Sequence, residues 1–330
     1  MKRPIKPLLI GSGLAALGAA AVGAASVAAT NQLVRIALDR ELPTRFRENG
    51  KARARLTGSP ENHGALERLA LAGKELQSKV VRRVTVYGRD GTVLVGHWRP
   101  CPSPKRVILA MHGWRSSWHR DFGIVADFWY EQGCSVLFAE QRGQGSSGGA
   151  HMSFGMMERY DCLTWAQWLH RNVSGTLPIY LAGVSMGATT VLMASALAMP
   201  PNVRGILADC GFTSPRAIWQ HVAKNNLHLF YGPRAALVDA LCKRKIHMAS
   251  GDCSTIEALK KGRIPVLFVH GTDDRFVPVE MTYENYMACA APKRLFVVPG
   301  ADHGGSYLRD REGYEQALLN FWHENDTNIL

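Results

Sequence analysis

The sequence lacks the cysteine patterns of disulfide-stabilised and zinc-binding proteins. Its seven cysteines are an odd number, they are widely separated, and no two of them form a C-x-x-C pair. This spacing argues against a disulfide framework and against a cysteine-based metal site. We therefore expect most of the cysteines to be small buried side chains, and we predict no metal and no cofactor.

Signatures of nucleotide and nucleic-acid binding are also missing. Gly11-Ser12-Gly13 is no dinucleotide fingerprint, because no strand precedes it. The net charge of +12 comes from scattered basic residues, and their densest group lies between Arg45 and Arg55. The charge indicates a solvated basic surface or attraction to anionic lipid, and we expect no nucleic-acid partner.

A long uncharged segment is present near the start of the chain. Leu8 to Thr30 carries no charged residue and follows a short basic start. A membrane-spanning helix needs about 20 apolar residues, so the pattern favours an uncleaved signal-anchor within residues 1–30. A cleaved signal peptide ending near Val27-Ala28-Ala29 is the alternative. We expect a membrane-anchored protein whose globular part lies outside the cytoplasmic membrane.

The remaining chain divides into two parts by composition. Residues 31–79 begin with a helical pattern and are polar and weakly helical from Arg40 onward, which predicts a stalk or lead-in helices. In residues 80–330, β-rich runs alternate with helical ones, which predicts an α/β domain with a mostly parallel central sheet and helices on both faces. Residues from about 213 to 262 break this alternation, so we predict a small helical cap insertion there.

One stretch has the pattern of a strand, a sharp turn and a helix. The apolar run from Leu177 ends in Gly183-Val184-Ser185-Met186-Gly187, and a small-residue helical pattern follows. A turn this tight leaves no room for side chains two residues on either side of its apex, which explains the glycines. Ser185 is therefore a candidate nucleophile, and it needs a histidine base that is oriented by a carboxylate.

Candidate partners for Ser185 follow later strands, where the carboxyl ends of parallel strands gather ligands. Asp273 and Asp274 follow one apolar run, and His303 follows the next. The chain order Ser, Asp, His is typical of one hydrolase fold. Asp209, which follows an earlier strand, is the alternative acid.

These motifs together resemble the α/β-hydrolase superfamily, over roughly Val80 to Trp322. The most similar members are bacterial membrane-associated serine esterases grouped with the serine-aminopeptidase-like (S33-type) hydrolases. The resemblance implies that Asp274 is the acid, in G-x-x-D-x-x-V-P, and that His303 is the base, in G-x-x-H. It also implies that the backbone N–H groups of Trp114 and Met186 form the oxyanion hole.

The chain departs from the family pattern in one loop. The D-x-R-G-x-G-x-S motif corresponds to Glu140 to Ser147, with glutamate in place of aspartate. We interpret this loop as structural, so the triad assignment is unaffected. We also interpret His112 as a structural histidine that holds its loop, and His270 as a packing or surface residue. Trp114, Trp118 and Phe212 are candidate linings of an acyl pocket or core residues.

The sequence therefore predicts a serine hydrolase that cleaves a carboxylic ester, either small or lipid-like, through an acyl-enzyme on Ser185. A peptidase or an acyltransferase with the same triad is one alternative. A non-catalytic, membrane-anchored binding protein of the same fold is the alternative from another class.

Overall fold

The computed structural model describes residues 8–43, 56–57, 63–79 and 82–326, and within these ranges the side chains of residues 8–22, 63, 65 and 66 are not described. Eight strands form one sheet in the order β1-β2-β4-β3-β5-β6-β7-β8. The strands are β1 Arg82–Tyr87, β2 Val93–Arg99, β3 Arg106–Met111, β4 Cys134–Glu140, β5 Ile179–Val184, β6 Val203–Asp209, β7 Val266–Gly271 and β8 Lys293–Val298.

Most of the sheet is parallel. β2 runs antiparallel to both β1 and β4, and every pairing from β4 through β3 to β8 is parallel. β3, β4 and β7 are buried at every position, whereas β1 and β8 lie at the edges and are partly exposed. Apolar runs of this kind are typical of strands covered on both faces, so the predicted sheet is confirmed.

Twelve α-helices lie in the described part of the chain. They are α1 Leu8–Leu38, α2 His63–Ser78, α3 Trp118–Phe122, α4 Ala126–Glu131, α5 Glu158–Asn172, α6 Met186–Ala194, α7 Pro215–His221, α8 Ala235–Ile246, α9 Thr255–Lys261, α10 Val279–Ala288, α11 Ser306–Arg309 and α12 Arg311–Asp326. A π-helical turn at Val222–Asn226 and a 3₁₀ turn at Gly232–Arg234 separate α7 from α8.

Separate apolar cores cover the two faces of the sheet. Trp165 of α5 and Leu192 of α6 are buried on one face, and Trp129 of α4 and Phe321 of α12 are buried on the other. The predicted placement of helices on both faces is therefore confirmed.

A third apolar cluster lies under the helical insertion between β6 and β7. It contains Ile218 of α7 and Cys242 of α8, together with Met186 at the start of α6. Val34 and Ile36, near the carboxyl end of α1, are buried in the same cluster. The N-terminal helix therefore ends against the cap, on the side of the domain where the strands β3 to β8 end.

The N-terminal helix is exposed over most of residues 23–29 and becomes buried from Thr30 onward. In the ranges whose residues are described, no helix is long and apolar enough to cross a membrane. The predicted signal-anchor within residues 1–30 falls mainly on residues 1–7 and on the side chains of residues 8–22, which lie outside the described part.

One predicted helix is divided in the structure. The sequence pattern indicates a single helix from Asp121 to Glu131, but α3 ends at Phe122 and α4 begins at Ala126. α2 approaches closely at this break, because a Cβ atom at Gly123 would lie 2.7 Å from the backbone carbon of Ala72 and 2.7 Å from the backbone nitrogen of Gly73. This tertiary contact leaves no room for a side chain at the break.

Candidate active site

Ser185 occupies the apex of the turn between β5 and α6. Its backbone has φ 55° and ψ −117°, a conformation that L-residues rarely adopt and that costs about 1–3 kcal/mol. Gly187 permits the turn, because a Cβ atom there would lie 1.8 Å from the carbonyl oxygen of Met111 in β3. The Ser185 N–H donates to the carbonyl of Asp209 at 2.8 Å, which attaches the strained turn to β6.

His303 reaches Ser185 from the loop that follows β8. Its Nε2 lies 2.9 Å from Ser185 Oγ, and its Nδ1 lies 2.7 Å from Asp274 Oδ2. The ring meets Phe276 edge to face at 5.1 Å between centroids. Burial lowers the pKa of His303, but the charge of the Asp274 carboxylate, the neighbouring Cys210 and the hydrogen bonds to both together outweigh burial and raise the pKa well above its ordinary value.

Asp274 is buried in the loop after β7. Its Oδ1 accepts the backbone N–H groups of Phe276 and Val277, each at 2.9 Å. Burial raises the pKa of Asp274, but the charge of His303 and the hydrogen bonds from its neighbours outweigh burial and hold the pKa well below its usual range. The carboxylate is therefore ionised at neutral pH and is aimed at His303.

Asp209, the alternative acid, is the last residue of β6 and lies at the same edge of the sheet, but its side chain has different hydrogen-bond partners from that of Asp274. Ser306 Oγ donates to its Oδ1 at 3.4 Å, and Tyr314 also hydrogen-bonds the carboxyl group. Burial raises the pKa of Asp209 to about 6. The structure thus brings Asp274 to His303 Nδ1 and leaves Asp209 beneath the site.

The loop after β3 lies directly against Ser185. A Cβ atom built on Gly113 would be 3.4 Å from Ser185 Cβ. The Gly113 N–H donates to Asp121 Oδ2 at 2.7 Å, so it is already engaged. The next residue in the loop is Trp114, and Met186 is the first residue of α6. Of the two residues assigned by resemblance to the oxyanion hole, Met186 therefore directly follows Ser185, and Trp114 follows the glycine that lies against it.

His112 holds this loop in place. It is buried, its Nδ1 donates to the carbonyl of Gly113 at 2.9 Å, and its Nε2 accepts the N–H of Gln141 at 3.2 Å. Burial lowers its pKa, so the ring stays neutral. The geometry agrees with the structural role that we assigned to His112 from the sequence.

The carboxyl end of α1 is attached to the same loop, which the sequence did not indicate. The Trp114 indole N–H donates to the carbonyl of Ala37 at 2.9 Å. The Arg115 guanidinium donates to the carbonyls of Ile36 at 2.7 and 3.1 Å and of Arg40 at 3.1 Å, and also to that of Asp39. The carbonyls of Ile36 and Ala37 belong to the last turn of α1, where helical partners run out, and those of Asp39 and Arg40 directly follow the helix.

A connected group of aromatic side chains reaches His303 on the cap side through Phe276. Between ring centroids, Trp114 lies 6.3 Å from Phe276 and 6.0 Å from Phe154, and Phe154 lies 5.8 Å from Phe212. Trp118 does not join this group, because it packs against Phe138 at 5.3 Å in the core on one face of the sheet. Of the three aromatic candidates from the sequence, two therefore lie near the site.

His270 is the residue near the triad that sequence reasoning underestimated. It is fully buried at the end of β7, and its Nε2 lies 3.0 Å from Asp274 Oδ2. The sequence carried one signal for this contact, because His270 stands four residues before Asp274, near the end of the strand that leads into the loop of the acid. It is therefore neither a surface residue nor a packing residue alone.

One group of potential metal ligands forms among the described side chains. Cys210, Asp274 and His303 each place a ligand atom within 4.8 Å of the others. Burial raises the pKa of the Cys210 thiol to about 11, so the thiol is protonated at neutral pH. A metal would have to displace the hydrogen bonds that Asp274 and His303 already make.

Glu140, which stands where the family motif has aspartate, closes its own loop. It accepts a hydrogen bond from His97 Nε2 at 2.7 Å and one from the backbone N–H of Ser146. The longer side chain thus reaches back into the glycine-serine loop. None of these contacts involves Ser185, Asp274 or His303.

Comparisons with known proteins agree with the fold. Residues 102–248 match the sequence family described as "Serine aminopeptidase, S33". The uncharacterised protein YqkD of Bacillus subtilis is 27% identical over 237 residues, which cover 72% of this chain and 76% of that protein. Protein bem46 of Schizosaccharomyces pombe is 23% identical over 229 residues, covering 69% and 70% of the two chains.

Solved esterase structures share the architecture. The esterase Pf2001 of Pyrococcus furiosus superposes with a TM-score of 0.61 at 21% identity, covering 76% of this chain and 93% of that one. Est1E of Butyrivibrio proteoclasticus, solved with ferulic acid bound, gives a TM-score of 0.58 at 19% identity, covering 73% and 98%. The sheet order, the serine at its strained turn and these matches lead to one conclusion: the chain has the α/β-hydrolase fold.

Proposed function

We propose that the protein is a serine hydrolase that cleaves carboxylic esters with Ser185, His303 and Asp274. The observation that carries the proposal is the unbroken hydrogen-bond chain through the three side chains, 2.9 Å from Ser185 Oγ to His303 Nε2 and 2.7 Å from His303 Nδ1 to Asp274 Oδ2. A serine hydroxyl is a weak nucleophile without such a base, and the base needs an orienting carboxylate.

The arrangement supports a two-step acyl transfer. His303 takes the proton of Ser185 as the hydroxyl attacks the ester carbonyl, and then protonates the leaving alcohol. His303 next activates a water molecule, which releases the acid from the acyl-enzyme. Asp274 keeps the proton on His303 Nδ1, so that Nε2 is free to act as the base in both steps.

The oxyanion of the tetrahedral intermediate needs its own donors. We assign this role to the backbone N–H groups of Trp114 and Met186, because the loop that carries Trp114 lies against Ser185 and Met186 begins α6. The amino end of a helix also favours negative charge. Loss of one donor of this kind typically lowers turnover about 10²–10³-fold.

The surroundings of the serine favour an apolar acyl group. Trp114, Phe154, Phe212 and Phe276 form contiguous ring contacts on the cap side. Aromatic surfaces of this kind bind acyl chains by burying apolar area, at about 25 cal/mol per Å². We therefore propose small or lipid-like carboxylic esters as the substrate class.

A peptidase is the second candidate, because the matching family is described as a serine aminopeptidase. The same triad would serve amide cleavage. The side chains in the described ring contacts on the cap side are uncharged aromatic groups, and this favours the ester.

One set of assays tests both the triad and the bond that is cleaved. A fluorophosphonate probe should label the wild-type protein and fail to label Ser185→Ala. Ser195→Ala is the matched control, since Ser195 is a buried serine that donates to the Leu192 carbonyl and should keep full labelling. p-Nitrophenyl esters of graded acyl length should be cleaved, and aminoacyl anilides should not. Equal labelling of Ser185→Ala would refute the mechanism, and efficient anilide cleavage would indicate the peptidase.

We also propose the location expected from the sequence, a membrane attachment through the N-terminal helix with the domain outside the cytoplasmic membrane. The uncharged run from Leu8 to Thr30 supports this proposal. Fractionation of the full chain, compared with a chain that begins at Asn31, tests it. Recovery of both forms in the soluble fraction would contradict it.

A further inference from the structure

A second histidine lies against the acid of the site. His270 is fully buried, and its Nε2 lies 3.0 Å from Asp274 Oδ2 and 2.9 Å from the carbonyl oxygen of Val277. Both neighbours are acceptors, so Nε2 carries a proton and donates to them. On the other side of the ring, Nδ1 lies 2.6 Å from the hydroxyl of Thr282 in α10.

The four donors around Asp274 leave its carboxylate one orientation. Oδ1 accepts two backbone N–H groups, from Phe276 and Val277, and Oδ2 accepts two imidazole N–H groups, from His270 and His303. Rotation of the carboxylate would break several of these bonds in a buried site, where unpaired polar groups are costly. The His270 bond is thus part of what aims Oδ2 at His303.

We propose that His270, held by Thr282, is a positioning residue that orients the Asp274 carboxylate toward His303. This inference rests on the proposed function. The hydrogen bonds run from Thr282 through His270, Asp274 and His303 to Ser185. Because His270 acts through Asp274 and is buried away from the substrate side, its loss should lower kcat and leave KM nearly unchanged.

The pH profile should respond as well. Without the His270 N–H, more of the negative charge on Asp274 is available to His303, which stabilises the imidazolium and raises its pKa. The acid limb of kcat/KM should therefore move to higher pH. Asp209, the last residue of β6, and Cys210, which follows it, also interact electrostatically with His303 and Asp274. The side chain of α10 that faces His270 is Thr282, which does not titrate. These groups are unchanged in the His270 variants.

The test compares removal of each group with a conservative replacement. His270→Leu removes the donor, and we expect kcat to fall about 10–100-fold, as for one charge-assisted hydrogen bond. His270→Gln keeps an N–H donor and should restore most of the activity. Thr282→Val should lower kcat about 3–10-fold, and Thr282→Ser should restore it. Thr255→Val is the matched control, because Thr255 is an equally buried threonine that hydrogen-bonds Thr213 and Asn285 instead of the triad.

The outcomes separate this inference from the proposed function. A lower kcat with unchanged KM, an acid limb at higher pH and recovery in the conservative variants would support positioning. A His270→Leu or Thr282→Val protein with the kcat and pH profile of the wild type would overturn it. If His270→Leu does not fold, the Thr282 pair decides. Ser185→Ala is measured beside them. Full activity of Ser185→Ala would refute the triad itself. If Ser185→Ala is inactive, the triad stands and the His270 and Thr282 variants alone decide whether His270 is a positioning residue.

Discussion

Arg115 connects the N-terminal helix to the loop over the serine, and its replacement offers a sharp test of that connection. The guanidinium donates to three carbonyls at the end of α1, those of Ile36, Asp39 and Arg40. The neighbouring Trp114, a proposed oxyanion donor, is attached to the same helix through its indole. In Arg115→Gln the shorter neutral side chain cannot span the three carbonyls.

The structure sets the size of the effect. Hydrogen bonds to a charged group contribute about 1.5–3 kcal/mol each, and the partial exposure of Arg115 allows water to replace some of them. We therefore expect docking of the helix end to weaken by about 2–4 kcal/mol in total, or roughly 30–1000-fold at 1.4 kcal/mol per tenfold. Displacement of Trp114 then costs part of one oxyanion donor, so kcat should fall about 10–100-fold.

Steady-state hydrolysis of a p-nitrophenyl ester and thermal unfolding measure the two consequences. Arg294→Gln is the control, because Arg294 is an exposed arginine paired with Glu324, and surface pairs of this kind contribute about 0–1 kcal/mol. If Arg115→Gln lowers the Tm by several degrees but keeps kcat within a factor of two, the helix stabilises the fold without acting on the loop. If neither quantity changes, the reasoning about the contact is wrong.

Four further outcomes follow from the structure. Because the charge of Asp274 raises the pKa of His303 well above 6.5 and catalysis needs the neutral ring, kcat/KM should fall as pH drops below that raised pKa. Asp274→Asn should lose about 10⁴-fold in kcat, whereas Asp209→Asn should retain most activity. Because burial raises the pKa of Asp209 to about 6, the wild-type fold should lose stability as pH rises from about 4 to 6. Asp209→Asn should abolish that loss, of order 3 kcal/mol. Gly187→Ala should fail to fold, because its Cβ would lie 1.8 Å from a backbone oxygen of β3, whereas Gly232→Ala meets nothing within 4 Å and should fold normally.

Each of these outcomes has a clear contrary result. A flat pH profile from pH 6 to 9 would exclude His303 as the base that limits the rate. If Asp209→Asn lost activity and Asp274→Asn retained it, Asp209 and not Asp274 would be the acid of the triad. Identical pH-dependence of unfolding in wild type and Asp209→Asn would show that Asp209 is not held protonated by burial. Folded, active Gly187→Ala would mean that the turn and β3 are farther apart than described.

Much of the fold could be predicted from the sequence because its signals are local. Apolar runs bounded by glycine and proline indicate buried strands, and their alternation with helical patterns indicates a parallel sheet. The close backbone approach of α2 to Gly123, where one predicted helix is split, could not be predicted. Local patterns carry no information about such approaches.

The candidate site divides in the same way. Ser185 could be found from its motif, because the strained turn needs glycines at fixed positions in the chain. The choice of Asp274 over Asp209 could not be made from the residues alone, since both acids follow a strand of the same sheet. Only the positions of the two loops around His303 separate them, and the family resemblance supplied that choice before the geometry did.

By itself, then, the sequence determined the sheet, the strained serine and the edge at which its partners gather, because each of these depends on residue types at fixed spacing. The tertiary structure alone decided which segments distant in the sequence contact the triad and the loop over the serine. It brings Thr282 and His270 behind Asp274, and it joins the end of α1 to the loop at Trp114. These contacts join residues whose side chains meet only after the sheet has formed, so no local pattern records them.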